Sequence, residues 1–163
     1  MYKKLFIILV LPFFISGCLK KSDPYKCTFT APTTVASSAE VTALENYINS
    51  KGLAGSVTRH PNGFFYKIDD AGTGIAPTVC SNIVVTYQGK LINDTQFDQN
   101  TTGASFVLGE LIAGWQLGLP LIKKGGSIKL YLPPSLGYGD RDFPKIPANS
   151  ILIFELKLID VAN

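Results

Sequence analysis

The chain has few of the side chains that carry covalent or metal chemistry. Histidine occurs once in 163 residues, as His60, which stands beside Pro61 in a predicted turn. A Ser-His-Asp triad or a multi-histidine metal site therefore has little support, and we interpret His60 as a surface residue. The sequence also lacks a phosphate-binding loop, a glycine-rich nucleotide fingerprint and a CxxC motif. We expect a protein that uses neither a metal nor another cofactor.

An excess of charge of one sign is also missing. The 15 lysines and arginines nearly balance the 12 aspartates and glutamates, so we do not expect nucleic acid as a partner. Apolar residues are plentiful, because 46% of the chain is hydrophobic and only 17% is charged. This composition predicts one packed domain with appendages and excludes disorder of the whole chain.

No hydrophobic run is long enough for a typical transmembrane helix. The apolar stretch near the N-terminus covers 14 residues, 5–18, and Pro12 interrupts it, whereas about 20 residues are needed to span a bilayer. Lys3 and Lys4 precede the stretch, as in the positively charged start of a signal peptide. A transmembrane helix remains the alternative interpretation.

The end of this stretch resembles the lipobox of bacterial lipoproteins. Residues 15–18 read ISGC, with small residues just before a cysteine. The resemblance implies that residues 1–17 are a signal peptide and that Cys18 becomes a lipidated N-terminus, stably anchored by several acyl chains. We expect a protein of the bacterial cell envelope. Leu19 after the cysteine favours the outer membrane, facing the periplasm or the surface.

Two cysteines remain, Cys27 and Cys80. In an oxidising compartment they can form a disulfide, which would close a loop of about fifty residues and stabilise the fold by about 4 kcal/mol on the chain-entropy model. Two unpaired thiols are the alternative.

Residues 18–38 are rich in Lys, Ser, Thr and Pro and predict a tether. Residues 39–50 then predict a helix capped by Ser37 or Ser38 and ended near Gly52. Its apolar stripe consists of Val41, Leu44, Tyr47 and Ile48. The helix either packs on the domain, which we favour, or presents an interaction face.

Alternating patterns predict short strands in the rest of the chain. They cover residues 54–60, 63–69, 81–89, 95–98, 127–132 and 151–159. Residues 61–63, Pro-Asn-Gly, suit a hairpin turn between the first two. In the strand 127–132 we expect Lys129 and Tyr131 to face solvent. The pattern predicts an α+β fold with about five to six antiparallel strands; residues 39–62 form an N-terminal extension and residues 63–163 the main domain.

The stretch 105–132 organises this domain because it holds the only tryptophan, Trp115, in a short helix between two strands. The helix ends near Pro120 and is too short to be stable alone, so it must pack on the sheet. Its apolar face consists of Leu111, Ile112, Trp115 and Leu119. The connection 133–150 contains four prolines and two glycines, and long connections of this kind are usually functional.

A set of large apolar residues stands at the ends of the predicted elements. Its members are Tyr87, Phe97, Phe106, Trp115, Tyr138, Ile146 and Phe154. Each alone is more often core than site. However, Tyr87 ends a strand, Phe97 precedes a carboxylate and Tyr138 lies between two glycines, so packing alone explains their placement poorly.

Four segments together resemble the FKBP-type peptidyl-prolyl cis-trans isomerases. They read VTYQGKLINDTQFD, FVLGELIAGWQLGLPLIKKGG, LPPSLGYGD and IPANSILIFELKLIDV, and they keep the family's order and spacing over residues 63–161. The resemblance implies a strongly bent antiparallel sheet wrapped around one short α-helix, with a shallow apolar pocket between them.

The resemblance also implies roles for individual residues. The catalytic set is Tyr87, Asp98, Tyr138 and Phe154, and the substrate-binding set is Phe97, Phe106, Leu111, Ile112, Trp115 and Ile146. Trp115 forms the floor, the Tyr138 hydroxyl and the Ile146 backbone N–H hold substrate carbonyls, and Asp98 orients the site. One departure from the family is Ala104, at a pocket position that is often aromatic, which is expected to widen the site and weaken macrolide binding.

The implied activity is isomerisation of X-Pro bonds in exported, proline-containing polypeptides, by a monomer that macrolide inhibitors can bind. Amide rotation needs no nucleophile, metal or cofactor, which agrees with the scarcity of catalytic groups. Two alternatives remain at this point. The protein could be a non-enzymatic envelope chaperone that binds proline-rich or unfolded segments, or a surface lipoprotein with a degenerate pocket.

Overall fold

The computed structural model describes residues 27–162, so the predicted signal peptide, the lipidation site Cys18 and the first part of the tether lie outside the described residues. Two helices and six strands are present. They are α1 (Ser38–Ser50), β1 (Thr58–Arg59), β2 (Phe65–Asp70), β3 (Asn82–Leu91), β4 (Gln96–Val107), α2 (Ala113–Gly118), β5 (Ser127–Leu132) and β6 (Leu152–Ala162). Short 3₁₀ turns cover Leu108–Glu110, Leu119–Leu121 and Pro134–Leu136.

The six strands form one antiparallel sheet in the order β1-β2-β5-β6-β3-β4. Register shifts interrupt the pairing of β3 with both of its neighbours, once between Val84 and Val85 and twice further along, and such bulges bend a sheet. The architecture confirms the predicted α+β fold with a six-stranded antiparallel sheet, a short helix and an N-terminal helix.

Helix α2 packs on one face of the sheet, which we call the inner face. The helix approaches β5 closely because it carries glycine at two positions. A Cβ atom on Gly114 would lie 2.4 Å from Cδ1 of Leu132, and one on Gly118 would lie 2.7 Å from Cδ1 of Leu130. Between helix and sheet lies the main core, which includes Phe64, Ile83, Val85, Trp115, Leu119, Ile128, Leu152, Leu156 and Leu158. The packing confirms that the sheet holds this short helix in place.

Helix α1 packs on the opposite, outer face. Its cap is Ser37, whose hydroxyl accepts a hydrogen bond from the Glu40 N–H while the Glu40 carboxylate accepts one from the Ser37 N–H. Leu44 and Ile48 are buried against Phe65, Tyr131 and Ile153. Packing, rather than an exposed interaction face, is therefore the arrangement observed.

The expectation that Tyr131 faces solvent is wrong. Tyr131 does point away from the inner face, as alternation requires, but α1 covers it and only 4% of its surface is exposed. Lys129, two residues earlier on the same face, lies beyond this cover and pairs with Glu155 at 2.6 Å. The sequence pattern identified the two faces of β5 correctly but not the helix that covers the second.

Two strand predictions missed their boundaries. The predicted strand 54–60 is reduced to Thr58–Arg59, which pairs with β2 across the expected Pro-Asn-Gly turn. In contrast, the strand predicted over residues 95–98 continues to Val107. The regular pairing is interrupted after Asn100, whose side-chain oxygen accepts hydrogen bonds from the N–H groups of Thr102 and Gly103.

The N-terminal segment before α1 is attached to the domain at several points. Cys27 and Cys80 lie next to each other, with their Cα atoms 5.7 Å apart. The Asn62 side chain donates a hydrogen bond to the carbonyl of Thr34 at 2.7 Å. No helix between residues 27 and 162 combines the length and hydropathy that a membrane-spanning helix requires.

Candidate active site

An apolar cavity of about 150 Å³ opens between α2, the inner face of the sheet and the connection that follows β5. Strands β3, β4 and β6 supply its walls, while α2 and the two residues before the helix supply the floor and one rim. The lining residues are Tyr87, Asp98, Phe106, Leu111, Ile112, Trp115, Tyr138 and Phe154. Eight of the ten candidate site residues named from the sequence therefore meet around one cavity.

Trp115 forms the floor of the cavity. Its ring meets Tyr87 and Phe154 edge-on, each at a centroid distance of 5.2 Å, and Phe106 at 6.3 Å. Only 5% of its surface is exposed. Within the described part of the chain, the buried Nε1–H has no hydrogen-bond acceptor. Edge-to-face contacts of this kind fix the ring planes, so the cavity has a defined shape before any ligand enters.

Gly89 makes room for the wall opposite Tyr87. A Cβ atom at this position would lie 2.9 Å from the Phe154 ring and closer still to the Phe97 ring. Those two rings meet edge-on at 5.5 Å. Gly89 pairs with Phe154 on β6 and with Asp98 on β4, so one glycine lets three site residues converge.

The polar part of the cavity is a fixed pair. The Tyr87 hydroxyl donates a hydrogen bond of 2.8 Å to Oδ2 of Asp98, and Oδ1 of the same carboxylate accepts the Gln99 N–H at 2.8 Å. Burial and the hydrogen bond to Asp98 raise the pKa of Tyr87 to about 12. Tyr87 therefore keeps its proton at neutral pH and holds the Asp98 carboxylate in one orientation.

Tyr138 lines the same cavity as this pair. Burial raises the pKa of Tyr138, and the negative charge of Asp98 raises it further. Its hydroxyl has no hydrogen-bond partner among residues 27–162, so it is a protonated donor that a ligand can use. The connection after β5 presents it between Gly137 and Gly139, and the latter adopts a φ of +68° that favours glycine.

Phe97 and Ile146, the other two candidate residues, line a neighbouring groove of about 210 Å³ rather than the cavity itself. The groove shares Asp98 and Tyr138 with the cavity and also includes Phe143 and Pro144. The sequence-based reasoning missed Phe143, which is 42% exposed and lies 4.7 Å from the Tyr138 ring between centroids. Its position as an aromatic residue in the proline-rich connection 133–150 could have indicated Phe143 as a site residue.

The backbone donor assigned from the sequence is wrong. The Ile146 N–H already donates to the carbonyl of Phe143 at 3.0 Å, so it is not free to hold a substrate carbonyl. Ile112 offers a free donor instead. This residue is the N-cap of α2 on the cavity rim, and its N–H makes no hydrogen bond to any described residue. Unpaired N–H groups at a helix start are a general property of helices.

The expected widening of the pocket at Ala104 is also not observed. Ala104 pairs with Val85 and is not part of the cavity lining. Phe106, two residues further along β4, supplies the aromatic wall and contacts both Tyr87 and Trp115. The bulge in β4 shifts its register against β3, and counting residues along the sequence does not reveal such a shift.

A larger and more open groove of about 480 Å³, which we call the polar groove, lies on the outer face of the sheet. Its lining includes Thr86, Gln88, Lys129, Glu155 and Lys157. The smaller cavity is the better candidate for an apolar ligand, because it combines aromatic walls with a few converging polar groups. In the described residues, no group of three or more His, Cys, Asp or Glu side chains could hold a metal ion.

Comparison with known proteins identifies the family. The profile of the FKBP-type peptidyl-prolyl cis-trans isomerases matches residues 74–159. The isomerase FkpA of Escherichia coli K12 is 43% identical over 120 residues, which cover 72% of this chain and 43% of FkpA. The isomerase Mip of Coxiella burnetii is 40% identical over 129 residues, which cover 77% of this chain and 53% of Mip.

The fold agrees with this relationship. The crystal structure of FkpA from Escherichia coli superimposes with a TM-score of 0.69 at 39% identity, covering 76% of this chain and 59% of that structure. The chain spans about half the length of the curated relatives that it matches. On these matches, the chain belongs to the FKBP-type peptidyl-prolyl cis-trans isomerase family.

Proposed function

We propose that the protein accelerates cis-trans isomerisation of X-Pro bonds in exported polypeptides. The observation that carries the proposal is the apolar cavity over Trp115, which is walled by aromatic rings and bears only a few polar groups. Amide resonance sets the uncatalysed barrier at about 18–20 kcal/mol. The reaction therefore needs a site that favours the twisted amide, and it needs no covalent chemistry.

The cavity can supply this preference through its polarity. A planar amide is more charge-separated than a twisted one, so an apolar site disfavours the planar ground state relative to the transition state. In the proposed complex the proline ring lies over Trp115, between Tyr87 and Phe154, where the aromatic walls exclude water. Each reduction of the barrier by about 1.36 kcal/mol raises the rate tenfold.

Two donors orient the substrate in this proposal. The free N–H of Ile112 and the free hydroxyl of Tyr138 both belong to residues that line the cavity, and they donate to substrate carbonyls. The Tyr87–Asp98 pair provides a fixed dipole and charge beside the twisting bond. We assign catalysis to Tyr87, Asp98, Tyr138 and Phe154, and substrate binding to Phe97, Phe106, Leu111, Ile112, Trp115 and Ile146, the last through its side chain.

An isomerisation assay with proline-containing peptides tests the proposal. We expect activity in the wild-type protein and a fall in kcat/KM of about tenfold or more in Asp98→Val and in Phe154→Tyr, since each change costs on the order of 1.4 kcal/mol in the transition state. The first removes the acceptor of Tyr87, and the second places a hydroxyl among the apolar rings. Far-ultraviolet circular dichroism and thermal unfolding verify that both variants fold.

No activity in the folded wild-type protein would refute the enzyme assignment. The chaperone alternative then gains support only if the same protein still suppresses aggregation of an unfolded client, equally well with and without Phe154→Tyr. No feature of the described residues favours that alternative over catalysis. A panel of peptides that differ in the residue before proline would define the preferred X residue.

We propose that the protein is lipid-anchored in the bacterial cell envelope and acts on clients there. The support is the ISGC motif behind a short apolar stretch, which predicts removal of residues 1–17 and acylation of Cys18. Labelling with a palmitate analogue tests the anchor, and Cys18→Ser should abolish both labelling and sedimentation with membranes. Fractionation then shows whether the protein reaches the outer membrane. Sedimentation in detergent tests the expected monomer.

We further propose that Cys27 and Cys80 form a stable disulfide in that compartment. Their Cα separation of 5.7 Å lies in the range that a disulfide spans. The bond closes a loop between residues 53 positions apart, so the chain-entropy model gives a stabilisation of about 4 kcal/mol. A thiol count on the unfolded protein should find the pair blocked before reduction and free after it.

We also propose that the cavity binds a macrolide inhibitor. Ala104 was expected to leave the aromatic wall open and weaken this binding, but Phe106 completes the wall. Titration calorimetry with a macrolide should show saturable binding, and Phe106→Ala should weaken it. Equal affinity for both proteins would show that this wall does not contribute to inhibitor binding.

A further inference from the structure

The carboxylate of Glu40 links the N-terminal helix to the connection that carries Tyr138. Its Oε2 accepts hydrogen bonds from the N–H and the hydroxyl of Ser37, at 2.9 and 3.0 Å, within the capping box of α1. Its Oε1 is directed away from α1 and accepts the N–H of Ser135 at 2.8 Å. The contact between Glu40 and Ser135 joins residues that are 95 positions apart in the chain.

Ser135 belongs to the turn that places Tyr138. The carbonyl of Pro134 accepts the N–H groups of Gly137 and Gly139, both at 2.9 Å, so the turn is closed on either side of Tyr138. Leu136 fixes it from below, since its side chain is fully buried. Glu40 therefore joins α1 to the second residue of this turn, three residues before Tyr138.

The same N-terminal segment also contacts the other side of the cavity. The Phe29 ring lies directly on Gly109, where a Cβ atom would overlap it. The carbonyls of Gly109 and Leu111 accept hydrogen bonds from the Gln116 side chain, at 3.2 and 2.6 Å. The segment that begins at Cys27 thus contacts Gly109, two residues before Leu111, in addition to the turn that precedes Tyr138.

We propose that Glu40 is a positioning residue for the isomerase site, one that holds the turn 134–139 so that the Tyr138 hydroxyl meets the substrate carbonyl. This inference rests on the proposed function. Ionised carboxylates form stronger hydrogen bonds than neutral acceptors. Burial raises the pKa of Glu40, but the hydrogen bonds from Ser37 and Ser135 outweigh this effect and lower the pKa, so the carboxylate is charged at neutral pH.

Four variants separate this role from the stability of α1. Glu40→Ala removes the capping contact and the Ser135 contact together. Ser37→Ala removes the hydroxyl of the same capping box but leaves the Ser135 contact in place. Glu45→Ala removes a glutamate of the same helix that pairs with Arg59 at 3.4 Å and does not touch the turn. Glu40→Gln keeps one acceptor oxygen.

Two functional readouts are measured for each variant, besides its unfolding free energy. The first is kcat/KM for isomerisation, together with a titration of the proline peptide. The second is amide hydrogen exchange at Ser135, Leu136 and Tyr138, which does not depend on activity. We expect Glu40→Ala to lower kcat/KM about threefold to tenfold and to accelerate exchange in the turn, as for loss of one hydrogen bond to a charged group. Ser37→Ala and Glu45→Ala should stay within about twofold of wild type, and Glu40→Gln should recover much of the loss.

The outcomes distinguish failure of the positioning role from failure of the proposed function. If the wild-type protein is active but Glu40→Ala matches Ser37→Ala in both readouts, the positioning role is overturned and the proposed function stands. If the wild-type protein is inactive, the proposed function fails and the positioning role fails with it. Loss of activity in all four variants in proportion to their loss of unfolding free energy would also overturn the role, since it would show stability alone.

Discussion

The two faces of the sheet are covered by helices of very different kinds. On the outer face, the 13-residue α1 buries Leu44 and Ile48 against Tyr131 and Ile153. On the inner face, the six-residue α2 covers only part of the apolar surface. Beside it remains a cavity of about 150 Å³ over Trp115.

The difference begins in the helix sequences. Helix α1 packs branched aliphatic side chains against the sheet. Helix α2 instead presents Gly114 and Gly118 to β5 and so lies very close to it. A short helix that is drawn down onto the sheet cannot also fill the space beside it. The candidate site is therefore the part of the inner face that α2 leaves uncovered, with one large ring as its floor.

The largest effect is expected from Trp115→Ala. The change removes the ring that supports both the core and the cavity, so we expect a loss of about 3–5 kcal/mol in unfolding free energy and loss of isomerase activity. Trp115→Phe should retain much of both, because it keeps an aromatic ring and removes an N–H that has no acceptor in residues 27–162. Denaturant unfolding and the peptide assay measure the two quantities. Equal damage from both substitutions would contradict this account.

The outer face should respond differently. Ile48→Ala creates a cavity under α1, and Ile48 is only 2% exposed, so we expect a cost of about 2–4 kcal/mol in unfolding free energy. The kcat/KM of the folded protein should remain within about twofold of wild type, because Ile48 lies at the end of α1 remote from Glu40. A tenfold fall in kcat/KM, measured at a temperature where the variant is still folded, would show that the two faces of the sheet do not act independently.

Gly114→Ala tests whether close approach of α2 defines the cavity. A Cβ atom here would lie 2.4 Å from the Leu132 side chain, so we expect an overpacking cost of about 1–3 kcal/mol despite the better helix propensity of alanine. Gly55→Ala is the matched control, since no atom lies within 4 Å of its added Cβ. If the two variants unfold at the same denaturant concentration, the close contact has no energetic importance.

The smallest effect concerns pH. The pKa of Tyr87 is raised to about 12 in the folded protein, above the usual value of 10, so the folded state holds this proton more tightly than the unfolded state. The contribution to stability is complete below pH 10 and is lost as pH rises towards 12. In Tyr87→Phe the decline of unfolding free energy between pH 10 and 12 should be shallower than in the wild type. Parallel curves would refute the Tyr87–Asp98 coupling.

The sequence predicted the strands with regular alternation well. β5 was predicted with its observed bounds, and β6 to within three residues, because alternating apolar and polar residues define both strand and face. β4 was largely missed. Its middle, Asn-Thr-Thr-Gly, carries turn-forming residues, and residues 101–103 have no partner on β3, although regular pairing resumes at Ala104.

Site prediction succeeded for side chains and failed for backbone groups. The resemblance to the family, carried by the motifs around these residues, predicted Tyr87, Trp115 and Phe154 in the pocket, and all three line the cavity. The free backbone donor could not be predicted from side chains. Whether the N–H of Ile146 or that of Ile112 is free depends on the local backbone hydrogen bonds, and the Ile146 N–H is already bonded to Phe143. The same limit explains Tyr131, whose burial depends on a helix that is distant in sequence.

Titration with a proline peptide, followed by NMR, tests directly whether the cavity over Trp115 binds the substrate. The chain has one tryptophan, so the indole N–H signal reports on Trp115 alone. We expect that signal and the amide signals of Ile112 and Tyr138 to shift with saturation, while the methyl signals of Leu44 and Ile48 remain unchanged. Saturable shifts confined to the α1 face or to the polar groove, with an unperturbed indole, would contradict the assignment of the cavity as the substrate site.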